Sequence, residues 1–182
     1  ITDPNAGASL TDALLAKMQR EEQRSRGLVI MEFWLRKDLT AEMTAEQMNL
    51  FADAVRDSAV PPQQRELLFQ TALQLPPENT SPWLAEELRK TIIWHGTQYD
   101  LRSFVPALVR TAARSLGQVG TAEDIELLDT LLYSNNPGVS KAALGAMDQL
   151  DRETAIARAQ RALERGWIHN ETRLALRRYL GW

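Results

Sequence analysis

The chain has 182 residues, 44% of them hydrophobic and 25% charged, with a formal charge of −3; this is the make-up of an ordinary folded protein, not of a disordered or membrane-embedded one. Net acidity argues against a protein that coats nucleic acid, which needs a broad basic surface, yet seven arginines against four acids from Asp151 to Trp182 leave that end about +3 and the first 150 residues about −6. With no cysteine, disulfides, thiolate nucleophiles and cysteine-ligated zinc are excluded.

Residues 1–9 read as a flexible polar lead-in, without the charged and apolar regions of a signal peptide. A start at Ile1 implies that something preceded it. The expectation is the soluble domain of an exported or membrane-tethered protein, with a trimmed cytoplasmic chain as the alternative. Residues 10–182 are read as a single helical domain, because apolar residues recur three and four apart almost throughout.

Leu10 to Leu39 forms either one helix of about seven turns or two helices broken near Gly27. Within it, Leu28 to Leu35 is apolar nearly all round, as in a buried helix. Interrupted by Glu32, this run is far shorter than the ~20 residues that span a bilayer. Thr44 and Gln47 form a capping box before Met48, Phe51, Ala52 and Val55. Pro61-Pro62 opens a helix carrying Leu68, Ala72 and Leu75, and Pro76-Pro77 ends it. Ser81-Pro82 begins another with Leu84, Leu88 and Ile92. After Ser103, Phe104, Val105, Leu108 and Val109 continue the pattern, with Pro106 tolerable only in a first turn or at a kink.

Thr121 and Asp124 resemble a second capping box, ahead of an expected three-turn helix lined by Ile125, Leu128 and Leu132. Asn136 as N-cap and Pro137 at the first helical position start the next, and the short link between the two forces them antiparallel. Asp151 caps a helix bearing Ile156, Ala159, Ala162 and Leu163, which ends at Gly166. Asn170 caps the last, with Leu174, Leu176 and Leu180 as its apolar stripe. The count is about nine or ten helices.

Val109, Ala112, Ala113, Leu116 and Val119 recur as Val139, Ala142, Ala143, Met147 and Leu150, an offset of 30 residues rising to 31. Paired alanines let helix backbones approach closely, and self-similarity at this period marks a solenoid. The stretch from Val109 to Gly120, then Thr121 to Leu132, then Asn136 to Val139, resembles HEAT repeats of the short, phycobilin-lyase-associated type, most clearly over 104–163. The resemblance implies an all-α fold, a right-handed superhelical array of antiparallel helix pairs, with the N-terminal segment as an atypical cap.

Chemistry is harder to find. The two histidines, His95 and His169, lack a second ligand at helical spacing, since Tyr99 and Arg173 stand four residues beyond them. There is no nucleophile elbow. Gly117-Gln-Val-Gly120 lacks the lysine of a phosphate loop and reads as structural. Glu123, Asp124 and Glu126 sit where a helix dipole favours acids. No catalytic, cofactor-binding or metal-ligating residue is assigned.

Two groups remain as partner-binding candidates. Trp83, Trp94, His95 and Tyr99 are either core rings or binding anchors, the latter because Trp and Tyr are favoured at interfaces. Arg158, Arg161 and Arg165, followed by Arg173, Arg177 and Arg178, form either a solvated face or an anion-binding ridge. The expected function is a non-catalytic protein–protein interaction or scaffold module that binds another protein or peptide and takes no cofactor. The alternative is a nucleic-acid-binding HEAT-like protein using the C-terminal arginines, since some HEAT-like proteins are alkylpurine DNA glycosylases. A phycobilin-lyase-related enzyme is a third class, for which no pigment pocket is indicated.

Overall fold

The computed structural model describes residues 10, 12–17, 43–57, 60–75, 77–96 and 105–182, and among them it is helical without a strand. The helices are α1 (Ala45–Arg56), α2 (Pro62–Ala72), α3 (Pro77–Gly96), α4 (Pro106–Val119), α5 (Ile125–Leu131), α6 (Pro137–Leu150), α7 (Arg152–Arg165) and α8 (Asn170–Leu180). A 3-10 turn, Ala122–Asp124, precedes α5. With the helical residues 12–17, nine α-helical segments lie among the described residues, in line with the nine or ten expected. Most of Leu10 to Leu39, and also Tyr99, Ser103 and Phe104, fall outside the described residues.

The chain divides into two compact units, Ile1–Leu84 and Ala85–Trp182. In the first, the Thr44 hydroxyl accepts from the Gln47 backbone N–H while Gln47 Oε1 accepts from the Thr44 N–H, so the capping box that the sequence suggests closes at the head of α1. Gln47 Nε2 also donates to Asp12 Oδ1 at 2.6 Å. Phe51, Ala52 and Val55 of α1 and Leu68, Phe69 and Ala72 of α2 are fully buried, each large side chain contributing about 1.5–3 kcal/mol by leaving water.

Helix α3 corrects one expectation. It begins at Pro77, not at Ser81-Pro82, and Pro82 lies inside it. A proline fits a first turn, whose N–H groups have no helical partner, so Pro77 opens α3, while α2 has already ended at Ala72, ahead of the expected Pro76-Pro77 stop and without Leu75. Pro82 then removes one interior hydrogen bond.

In the second unit α6 is the centre: α4, α5, α7 and α8 all pack on it, most extensively α4, while α7 also meets α5 and α8. Leu116, Leu128, Val139, Ala143, Met147, Ala159 and Ala162 are fully buried. The repeated alanines act as expected, since Ala112, Ala113, Ala142 and Ala143 all lie inside. Gly117 marks where two backbones meet. A Cβ there would stand 2.7 Å from Ala146 Cα, while one at Gly138 would stand 3.8 Å from Arg110. Contacts that advance together along both helices, from Arg110 with Gly138 to Gly117 with Ala146, mean that α4 and α6 run in the same direction.

Asn136 caps α6 by accepting from the N–H groups of Gly138 and Val139 at 3.0 and 3.2 Å. Asp151 caps α7 through Glu153 and Thr154, and Gly166 ends α7 at φ 74°. Two local readings need revision. The helix after Thr121 opens as a 3-10 turn, in which the Asp124 N–H bonds the Thr121 carbonyl at 2.9 Å, a common tightening at helix ends. Helix α8 is capped by His169, not by Asn170, because the imidazole Nδ1 accepts from the Glu171 N–H at 3.2 Å.

Charged side chains tie these helices together. Arg89 of α3 grips the buried Asp124 carboxylate with two bonds, of 2.5 and 2.9 Å. Desolvation, the largest influence, pushes Asp124 upward. The Arg89 bond, the Thr121 N–H and the guanidinium's attraction outweigh it, holding the carboxyl below its ordinary range. Arg158 of α7, only 16% exposed, bridges Glu126 and Asp129 of α5. The Tyr179 hydroxyl donates to Asp148 Oδ1 at 2.6 Å and joins α8 to α6.

Candidate docking surface

Helix α8 turns Thr172 and Leu176 inward, so residues offset from them by half a turn face out. Leu174 corrects an expectation here, being 55% exposed and not part of a buried stripe. It shares its face with Arg177 and Arg178, three and four positions on. Gly181 stands at φ 76°, a left-handed conformation that glycine adopts without penalty. The Gly181 N–H bonds the Arg178 carbonyl, and the Trp182 N–H bonds the Arg177 carbonyl at 2.8 Å. This is a Schellman turn, which folds the following residue back onto the helix.

Trp182, 69% exposed, therefore lies beside Leu174, Arg177 and Arg178, and the four line an open cavity of about 430 Å³. On its other side, a smaller cavity of about 220 Å³ is lined by Leu163, Glu164, Arg173, Arg177 and Trp182. One indole and one guanidinium thus stand between two shallow clefts. Trp167, in the link between α7 and α8, is 89% exposed. Large apolar side chains this open to water, rimmed by arginines, have the composition of interface hot spots, in which Trp and Arg predominate.

The six arginines named from the sequence do not share one environment. Arg158 is turned inward to Glu126 and Asp129. Arg165 lies over the Tyr133 ring, 5.9 Å from its centroid. Arg173 is half-buried and donates to the Gly166 carbonyl at 2.9 Å. Arg161, Arg177 and Arg178 are exposed, and the last two flank Trp182.

The aromatic group is also divided. Trp83 belongs to the first unit, half-buried beneath Arg56, whose guanidinium carbon is 5.9 Å from the ring centroid. Trp94, in the second unit, is 63% exposed beside the 53% exposed Ile93, and His95 is half-buried. Tyr99 lies outside the described residues.

Sequence reasoning missed Leu174, Trp167 and Trp182. The signal for Trp182 was present, since a glycine after a helix followed by a large apolar residue is the mark of the Schellman turn. Among the described residues no cluster of His, Asp and Glu is arranged to hold a metal ion, and no helix is long and apolar enough to cross a membrane. Compared with protein-family models, curated proteins and solved structures, the chain matches none.

Proposed function

We propose that the chain is a non-catalytic interaction module, built as a HEAT-like, right-handed superhelical array of antiparallel helix pairs, and that it docks a polypeptide on the face of α8. Support for the array comes from the recurrence of buried alanines at an offset of 30 residues and from helices α4 and α6 running in the same direction with one short helix between them. The reading of function is carried by one observation: Leu174 and Trp182 are exposed together, flanked by Arg177 and Arg178. That set matches a partner segment with an apolar anchor between carboxylates, where the indole supplies contact area and the guanidiniums supply orientation and encounter rate.

The test compares wild type with Trp182→Ala and Arg177→Glu as baits in quantitative capture from the source cells, followed by affinity measurement on the recovered polypeptide. Both positions are exposed, so both variants fold. A hot-spot anchor loses at least about 2 kcal/mol on truncation, about a 30-fold weaker Kd. A recovered set that is empty, or unchanged in both variants, refutes the assignment.

A second reading, single-stranded nucleic acid, is favoured by the same indole between arginines, because bases stack on Trp while Arg holds phosphates. Net acidity opposes it. Retention on single-stranded DNA at low salt, falling steeply as salt rises, distinguishes this reading from polypeptide docking.

A further inference from the structure

We propose that the groove between α4 and α6 is a second docking surface, which takes an extended acidic polypeptide segment, with Arg114 and Lys141 holding its carboxylates and Gln118 and Gln149 bonding its backbone amides. The proposal goes beyond the α8 reading and uses none of its residues. The groove has a volume of about 300 Å³. Its floor is made of small residues: Ala142 and Ala146 are buried, and Gly145 is exposed with nothing within 4 Å of where a Cβ would stand. The close approach at Gly117 holds the two helices together, so only the long side chains rise as walls. Arg114 and Gln118 form one wall, and Lys141 and Gln149 the other.

Two features select the occupant. The first is charge. Helix α4 carries Arg110 and Arg114 and no acid, while α6 carries Lys141 and a single acid, Asp148. Asp148 is already engaged by Tyr179 at 2.6 Å and lies 3.9 Å from Arg152. Lys141 is 3.9 Å from Glu171 in an exposed pair, a contact weak enough for an incoming carboxylate to displace. Among the described residues no carboxylate pairs with Arg110 or Arg114, and Arg110 Nε is buried without a hydrogen-bond partner. A protein of net charge −3 thus presents a cationic groove.

The second feature is register. Gln118 and Gln149 are 31 residues apart, the offset of the repeat itself, so they occupy equivalent positions on parallel helices. A carboxamide both donates and accepts, which suits the alternating N–H and C=O groups of an extended backbone. Arg114 has Gly145 as its equivalent, and that exchange leaves the groove open where a second long side chain would fill it.

The experiment is fluorescence anisotropy at low salt with three labelled decapeptides, alternating Glu-Ser, Gln-Ser and Lys-Ser. The Glu-Ser peptide binds the wild-type protein. Its affinity falls at least tenfold in Arg114→Glu, in Lys141→Glu and in Gly145→Leu, whose side chain fills the groove without leaving the helix. It is retained in Trp182→Ala and in Arg161→Glu, which alters an exposed charge elsewhere. Binding of the Gln-Ser or Lys-Ser peptide with equal affinity overturns the acidic specificity. Glu-Ser binding that is indifferent to Gly145→Leu, or equally weakened by Arg161→Glu, overturns the site. Loss of Glu-Ser binding in Trp182→Ala assigns the peptide to α8 and overturns the groove, and no binding by any peptide overturns the proposal while leaving the α8 reading standing.

Discussion

Alanine placed at Gly117 and at Gly145, one at a time, adds the same methyl group to two helices that touch each other, with opposite consequences. In a helix interior Ala is favoured over Gly by about 0.8–1 kcal/mol, since less backbone entropy is lost on folding. At Gly145 nothing lies within 4 Å of the new Cβ, so the gain is realised nearly in full. At Gly117 the methyl carbon would stand 2.7 Å from Ala146 Cα and 2.9 Å from Ala146 Cβ, against the ~3.5–4.0 Å at which carbon atoms rest. Ala146 Cα belongs to the backbone of α6, so relief requires moving a helix by about 1 Å, and overpacking of this kind costs about 1–3 kcal/mol. Gly117→Ala is therefore neutral to about 2 kcal/mol destabilising, while Gly145→Ala stabilises by up to about 1 kcal/mol. For a chain of this length that is a fall in Tm of up to about 8 °C against a rise of about 2–4 °C. Thermal melts of the two variants beside wild type measure it. Equal rises in both would mean that α4 and α6 do not approach at Gly117, and the parallel packing derived from that contact would fall with it.

Asp124→Asn removes the charge from a buried carboxylate that Arg89 and the Thr121 N–H satisfy. With Arg89 partly exposed, the loss is about 2 kcal/mol, read by urea unfolding at neutral pH. Because the folded Asp124 is held below the ordinary carboxylate range, its contribution is complete above about pH 4 and disappears as pH falls through the lower folded value. The wild-type stability advantage over the variant should therefore vanish in acid, and a constant difference would contradict the assignment. Arg158→Met keeps the stem but strands the half-buried Asp129, costing about 1.5–3 kcal/mol. Glu126→Gln, altering only the 75% exposed partner, costs less than about 1 kcal/mol; equal losses would refute the ranking. Tyr179 is pushed up to about 12, first by burial and then by its bond to Asp148. In a Tyr99→Phe, Tyr133→Phe background its phenolate absorbance should rise with that midpoint, and Asp148→Asn should bring the midpoint down. Since the folded value is raised, this group's stabilisation is full below about pH 10 and lost as pH rises through about 12.

Features that depend on a few consecutive residues were legible in the sequence. Thr44, Asn136 and Asp151 cap the helices expected of them, because a short side chain bonding an N–H two or three positions on is a local event. Local rules also produced the errors. Pro77 has the local mark of a stop, yet it opens α3, because the same ring fits a helix's first position. His169 displaced Asn170 as a cap because an imidazole nitrogen was free to accept. The fate of Leu174 and of the arginines was not local at all. Spacings of three and four define two faces of a helix without saying which is covered, and Arg158 meets acids 29 and 32 positions away. The groove's lining is not legible in the same way, because Arg114, Gln118, Lys141 and Gln149 are polar residues whose spacing marks only an exposed helix face, and it takes the packing of α4 on α6 to bring them together.

The turn at Gly181 has a consequence for how the α8 surface can change. Trp182 is placed by a main-chain bond that every residue but proline can make, from its own N–H to the carbonyl of Arg177. Position and chemistry are thereby separated. A phenol, an aliphatic chain or a carboxylate set at 182 would be delivered to the same point between the same two clefts, so the chemistry presented beside Arg177 can be changed one residue at a time while the helix beneath it stays as it is.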